Sequence, residues 1–490
     1  MLCPLHRPSD ARSVRRECGS GHPAPPTPLT KRGDVITRSD RHNGPGLGDV
    51  RGQGRRVMKV PDVVVAGAGA GGCAAALALA RNGAEVQLFE PHTDRRGVFA
   101  GEWLHPAGVA ALARLGVNMG GQPFITNGGF VLHPGNGEAP IELPYTRGTA
   151  LTGPHHAFIE RLQDAVTSTT NAVLRRGGRL AGATDRGEVL TDTGPLTARV
   201  VVGADGRAST VRRSLREGSA PAIALSYTAG LVVPGARLPV EGYGHIFLGG
   251  PGSALAYRIG PDQVRLCLDV PLSKPGPGEV RAYLDQRYAP HLPHRLAEAF
   301  RSQLREGHVQ WAASRFRRRA FFGRGRVALV GDAVGYGHPL AAQGMTCAIL
   351  DGECLGAQPD LAAYRRTRTA QSRAPERVAA AVHRVLTDED RATLALRRSL
   401  FDIWRADPQE RARTMRLLGV QEHRRAALSG SVTNIAAGAL TLTVRRNDQD
   451  IIDVASTVTG LAEWLWWMSG SQVGLPRQRL PRGVAFMSPW

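Results

Sequence analysis

Residues 61–90, PDVVVAGAGAGGCAAALALARNGAEVQLFE, constrain the fold more than any other stretch of the chain. Val63, Val64, Val65 and Ala66 lead into a turn with glycines at 67, 69, 71 and 72. An Ala- and Leu-rich run follows to Arg81, and residues 85–89 close on the acid Glu90. This order predicts strand, glycine turn, helix, strand and carboxylate, the βαβ unit that binds a dinucleotide. Gly67 permits the tight turn, Gly69 lets backbone approach a pyrophosphate, Gly72 lets helix and strand pack closely, and Glu90 is placed to accept the ribose hydroxyls. Residues 63–80 carry no charge, and Arg55, Arg56 and Lys59 stand upstream, a pattern shared by signal peptides and membrane spans. Glycines so closely spaced are costly in one continuous helix. The expectation is therefore an uncleaved, cytoplasmic protein.

Two further strands end in polar turns. In VVVGADGRASTVR (residues 200–212) a buried strand meets Asp205-Gly206, and Ser209 is a good N-cap for the helix that follows. Asp205 can hold this backbone near a pyrophosphate. In RVALVGDAVGYGHPLAAQGMT (residues 326–346) a strand again ends in Gly-Asp, and a loop bearing Pro339 opens an apolar helix at Gly344 and Met345. Asp332 at the strand's carboxyl end can hydrogen-bond a polyol, and the loop can set backbone N–H groups against an anionic edge. Between these sites, β-like runs at 223–233, 245–248, 255–259 and 264–270, the last two joined by Gly260-Pro261-Asp262-Gln263, predict an antiparallel sheet walling a cavity.

Composition narrows the partners. The 62 Lys and Arg against 42 Asp and Glu give a net charge of +20, yet only three of the basic residues are lysines. Arginine is spread along the chain, which argues for compositional bias and against a nucleic-acid patch. The six cysteines form no CxxC pair, and no metal-ligand spacing appears. Residues 1–57 are rich in Pro, Gly, Arg, Ser and Asp and are expected to be disordered or a non-native extension, Met58 being a plausible start. After residue 378 the chain reads as helical. The uncharged residues 426–444 carry several Ser, Thr, Gly and Asn, and Trp464, Trp466 and Trp467 cluster near the end, which suits either an interfacial helix or a helical cap.

Carried by these motifs, the sequence resembles the FAD-dependent flavoprotein monooxygenases and, within them, the squalene monooxygenase (squalene epoxidase) family. The matching stretches are GEWLHPAGVAALARLG (101–116), IELPY (141–145), GADGRASTVRRSL (203–215), ALAYRIGPDQVRLCLDVP (254–271), RYAPHLPHRLAEAF (287–300) and VALVGDAVGYGHPLAAQGMT (327–346). The resemblance implies an α/β fold: a Rossmann-like FAD-binding domain (58–222 and 319–370), an inserted antiparallel-sheet substrate domain (223–318) and a C-terminal helical region (371–490). It implies that Gly67, Gly69, Gly72 and Glu90 hold the adenosine diphosphate part of FAD, and that Arg96 and Glu102 lie beside the cofactor. Asp205 and Gly206 would lie near the pyrophosphate, Asp332 would bind the ribityl or pyrophosphate region, and Pro339, Gly344 and Met345 would border the isoalloxazine. The activity implied is insertion of one oxygen of O₂ into an apolar terpenoid alkene through a flavin C4a-hydroperoxide, with no catalytic side chain and no metal. NAD(P)H would supply electrons, directly or through a separate reductase, and peripheral membrane contact is implied by an apolar substrate. Aromatic hydroxylation, prenyl double-bond reduction and a non-catalytic binding scaffold are the alternatives. Ala157, where the family has arginine, with His155 and His156 as possible substitutes, and Ala341-Ala342-Gln343, where it has more glycine, are departures that bear on FAD contact and reactivity.

Overall fold

The computed structural model of the chain describes residues 61–94, 99–215, 221–445 and 451–469. The expectations for residues 1–57 and for Arg96 lie outside them. Six strands form the first sheet, in the order Gly323–Arg324, Val327–Leu329, Val200–Gly203, Val63–Ala66, Val86–Glu90 and Ala172–Arg176. All its pairings are parallel except that of the first two. A parallel sheet is covered on both faces, so its strands read as unbroken apolar runs. Val63, Val64, Val65, Val201, Val202 and Leu329 are all buried accordingly.

The first seven helices are α1 (Ala70–Arg81), α2 (Pro106–Arg114), α3 (His155–Thr167), α4 (Thr210–Ser214), α5 (Val280–Tyr288), α6 (His294–Glu306) and α7 (Gly344–Ala357). Small residues bring α1 and α7 together: a Cβ on Gly352 would fall 2.5 Å from the Ala75 amide nitrogen, and one on Gly356 would fall 2.5 Å from the Ala78 Cβ. This contact locks the helix after the glycine turn to the helix after the Pro339 loop.

A second sheet has seven strands, in the order Gln310–Phe316, Ile223–Pro234, Gln263–Val270, Ala254–Gly260, Gly244–Phe247, Gly129–His133 and Ile141–Pro144. It extends beyond the expected 223–318 segment, because Gly129–His133 adds in parallel beside Gly244–Phe247 and Ile141–Pro144 pairs with it in turn. In Ile141–Pro144 the residues alternate buried and exposed, as a half-covered strand must. The buried Leu231, Val233, Leu266 and Leu268 of this sheet share a core with Leu284 and Tyr288 of α5 and Leu296 and Phe300 of α6. A separate core joins Leu132, Ile246, Leu255 and Tyr257 to the C-terminal helices.

Those helices are α8 (Leu361–Thr387), α9 (Arg391–Ala406), α10 (Pro408–Leu418), α11 (Arg425–Arg445) and α12 (Ile451–Ser469). Helix α8 runs unbroken through the expected boundary at 370–371. Asp360, Asp390 and Asp407 cap α8, α9 and α10 through their carboxylates, satisfying N–H groups that otherwise lack a partner.

Candidate active site

The three polar turns converge because their strands are neighbours. Val327–Leu329, Val200–Gly203 and Val63–Ala66 lie side by side in parallel register, so Gly331-Asp332, Asp205-Gly206 and the Gly67 turn emerge at the same edge. Ligands of open parallel sheets bind at this carboxyl edge. A cavity of about 960 Å³ opens there and reaches Thr228, Leu255, Tyr257, Cys267 and Asp269 on the second sheet. Gly67, Gly69, Glu90, Glu102, Asp205, Gly206, Asp332, Pro339, Gly344 and Met345 all line it.

Gly72 does not line the cavity, since its task is packing: a Cβ there would lie 1.8 Å from the Gly67 carbonyl oxygen. Gly67 has φ +95°, and a Cβ on it would reach 2.6 Å from the Ala204 oxygen. Gly69, Gly206 and Gly344 differ in kind, because a Cβ on any of them would meet no protein atom within 4 Å. The room beside these glycines is left for a ligand, and the N-terminus of the 12-residue α1 has no side-chain cap. A glycine-lined space facing uncapped N–H groups fits the pyrophosphate of a dinucleotide.

The acids divide their work. Glu90 is fully buried, and its carboxylate accepts from the Ala68 N–H at 2.8 Å and the His92 N–H at 3.0 Å, so it also braces the glycine turn. Asp205 accepts from the Ser209 hydroxyl at 2.5 Å and from the Thr210 and Val211 N–H groups at 2.6 and 3.1 Å. Its carboxylate is used in holding the turn against α4. Asp332 pairs with Arg207 at 3.1 Å, and the Arg207 guanidinium also lies over the Tyr336 ring.

Glu102 lines the cavity, but both of its oxygens accept from Arg265 at 2.7 Å, and the pair is almost fully buried. Sequence reading placed Glu102 beside the cofactor and gave no role to Arg265, which lies about 160 residues away within the 254–271 stretch. His155 lines the cavity and bonds the Gly101 carbonyl at 2.8 Å, whereas Ala157 is not among the lining residues.

A second unforeseen group supports the Pro339 loop. The Trp103 indole N–H donates to the Tyr145 hydroxyl at 3.2 Å, and that hydroxyl lies 2.6 Å from His105 Nδ1. His105 Nε2 is 3.0 Å from the Ala341 carbonyl, so Nε2 carries the proton and Nδ1 accepts from tyrosine. Burial pushes His105 down to about 4 and pushes Tyr145 above its ordinary value, so both stay neutral. The next residue, Ala342, has φ +52°, a left-handed conformation at one of the positions where the sequence departs from glycine.

A glycine cradle at the carboxyl edge of a parallel sheet, facing an antiparallel wall, defines a dinucleotide-binding protein with a second, cavity-walling sheet. Residues 62–109 match the family model described as FAD dependent oxidoreductase, which makes FAD the dinucleotide of this cradle. Two solved structures share the fold. One is Pseudomonas aeruginosa PqsL in complex with 2-aminobenzoylacetate, at TM-score 0.57 and 22% identity over 67% of this chain and 97% of that one. The other is the flavin-dependent brominase Bmp2, at TM-score 0.64 and 17% identity over 77% of this chain and 98% of that one. Residues 197–454, more than half of the chain, match the squalene epoxidase family model, and the chain belongs to that family. Curated relatives include squalene epoxidase 2, mitochondrial, of Arabidopsis thaliana, 29% identical in a 350-position alignment that covers 65% of this chain and 58% of that protein. Squalene epoxidase erg1 of Aspergillus fumigatus is 29% identical in a 314-position alignment that covers 59% of this chain and 64% of that protein. The chain thus spans about three fifths of these relatives' length.

Proposed function

We propose that the chain is an FAD-dependent monooxygenase that epoxidises a carbon–carbon double bond of an apolar, terpenoid-type polyene. One observation carries the reading: the cavity that holds the glycine cradle continues without a break to Leu255, Tyr257, Leu340 and Ala379, so a substrate alkene and a flavin would share one continuous space. FAD bound there supplies the O₂-activating chemistry that protein side chains lack. The protein's part is placement and exclusion of water. Gly67, Gly69 and the α1 N-terminus would take the pyrophosphate, Glu90 the adenosine ribose, and Asp332 the ribityl chain. Pro339, Gly344 and Met345 would border the ring system, on a loop held by His105 and Tyr145. Leu255 and Tyr257 of the second sheet and Ala379 of α8 line the far end, where apolar walls would keep water from a bound flavin. No side-chain nucleophile is assigned. Electrons would come from NAD(P)H, directly or through a reductase.

Membrane contact belongs to the same proposal. Helix α11 is long and apolar enough to cross a bilayer, and on α11 and α12 Leu440, Val444, Val458, Leu465 and Trp466 are exposed. Exposed apolar residues on both helices, a tryptophan among them, suit a helix pair resting in the interface, where a lipid-dissolved substrate is found.

The test is reconstitution of the purified chain with FAD, followed by a panel of squalene, shorter prenyl chains and phenolic aromatics under reducing conditions. The proposal expects a yellow protein that converts polyenes to epoxides. Conversion of phenols alone, or a chain that takes up no flavin, would overturn it.

A further inference from the structure

Asp269, His338 and His383 meet in a buried cluster that the proposed chemistry does not use. They come from three parts of the molecule: Gln263–Val270 of the second sheet, the loop that reaches Pro339, and helix α8. His338 Nε2 lies 3.1 Å from Asp269 Oδ1 and His383 Nε2 lies 3.2 Å from Asp269 Oδ2, while the two imidazoles stack with centroids 3.9 Å apart. All three residues are buried, and Asp269 and His338 line the cavity.

Three such ligand atoms within 4.8 Å of one another are the raw material of a metal site. The hydrogen bonds decide against one. His338 Nδ1 accepts from the Leu340 N–H at 3.2 Å, and burial holds the ring below its ordinary value and therefore neutral. Its one proton must then sit on Nε2, which points at the Asp269 carboxylate, with the Ser226 hydroxyl at 2.9 Å as a second partner. A metal on Nε2 would move that proton to Nδ1, against a backbone N–H. What remains is a carboxylate accepting from two imidazole N–H groups.

We propose that Asp269, His338 and His383 form a hydrogen-bonded strut that transmits the position of α8 to the loop on which the flavin ring would rest, with His383 acting as a positioning residue. Helix α8 already approaches this loop closely, since a Cβ on Gly337 would lie 3.3 Å from the Ala379 Cβ. The Leu340 N–H bond fixes the ring of His338 beside Pro339, so a shift of α8 reaches the cavity through two hydrogen bonds. The strut rests on the flavin reading for its consequence, though not for its geometry.

The experiment compares the FAD-loaded full chain with His383→Gln, His383→Leu and Asp269→Asn. Glutamine keeps an N–H near the position of Nε2 and leucine does not. Leucine is expected to shift the flavin midpoint potential and raise severalfold the fraction of reducing equivalents lost as hydrogen peroxide, with glutamine restoring both. Asp269→Asn is expected to behave as leucine does, and it carries the test if the leucine variant fails to fold. Wild-type values in both the leucine and asparagine variants, or a glutamine variant no better than leucine, would overturn the strut. Zinc titration of EDTA-treated apoprotein decides independently of flavin: no uptake at this cluster is expected, and stoichiometric uptake abolished by Asp269→Asn would overturn it. A wild-type chain that takes up no FAD would sink the flavin reading, and the zinc result would still judge the strut.

Discussion

Gly69 and Gly72 stand three residues apart in one motif and do opposite things. A methyl on Gly69 meets no protein atom, and the backbone there is extended, with φ −77°. Gly69→Ala is therefore expected to leave the apoprotein's melting temperature unchanged and to weaken FAD binding roughly tenfold or more, about 1.4 kcal/mol, measured by flavin fluorescence titration. Gly72→Ala drives a methyl into the Gly67 carbonyl and should cost stability itself, about 1–3 kcal/mol by denaturant unfolding. Glu102 gives a sharper contrast. If its carboxylate served the cofactor, Glu102→Gln would lower FAD affinity alone. Because it neutralises the buried Arg265, the substitution is expected to destabilise the apoprotein by about 3–5 kcal/mol. At this scale the sequence announced residues whose chemistry is local, such as glycines in a turn or an aspartate before a glycine. It stayed silent on Arg265, His105 and His383, whose meaning depends on partners far away in the chain.

Among the elements, the loop between Asp332 and Gly344 and the second sheet have settings that titrate. His105, which bonds its Ala341 carbonyl, is lowered by burial to about 4, and His133 on the second sheet is lowered to about 4 by burial and by His245. Both titrate near 6.5 when unfolded, so unfolding takes up protons below that value. Their contribution to stability is complete above pH 6.5 and is lost as pH falls toward 4. Melting temperature should fall across that window, and His105→Gln should flatten the slope. The strand-turn-helix units were legible because an apolar run, a glycine or aspartate turn and a helix start repeat the same local grammar at 63–72, 200–210 and 327–344, with a capping side chain at Ser209. The pairing of Gly129–His133 with Gly244–Phe247 was not, since a parallel partner more than a hundred residues away leaves no trace in either strand's own pattern.

Across the whole molecule, the function follows from bringing three strand ends to one edge and facing them with a second sheet. The C-terminal bundle adds Ala379 of α8 to the cavity wall and shows apolar residues outward on α11 and α12. Trp466→Ser combined with Val444→Ser is expected to reduce co-flotation with phospholipid vesicles while leaving FAD content unchanged. Whether one cavity holds both a flavin and an alkene is decided by turnover of a polyene under ¹⁸O₂ with the FAD-loaded chain. The expected product is an epoxide carrying one ¹⁸O atom per oxidised double bond. An epoxide labelled only from H₂¹⁸O, or reducing equivalents consumed with no labelled product from any alkene, would contradict it.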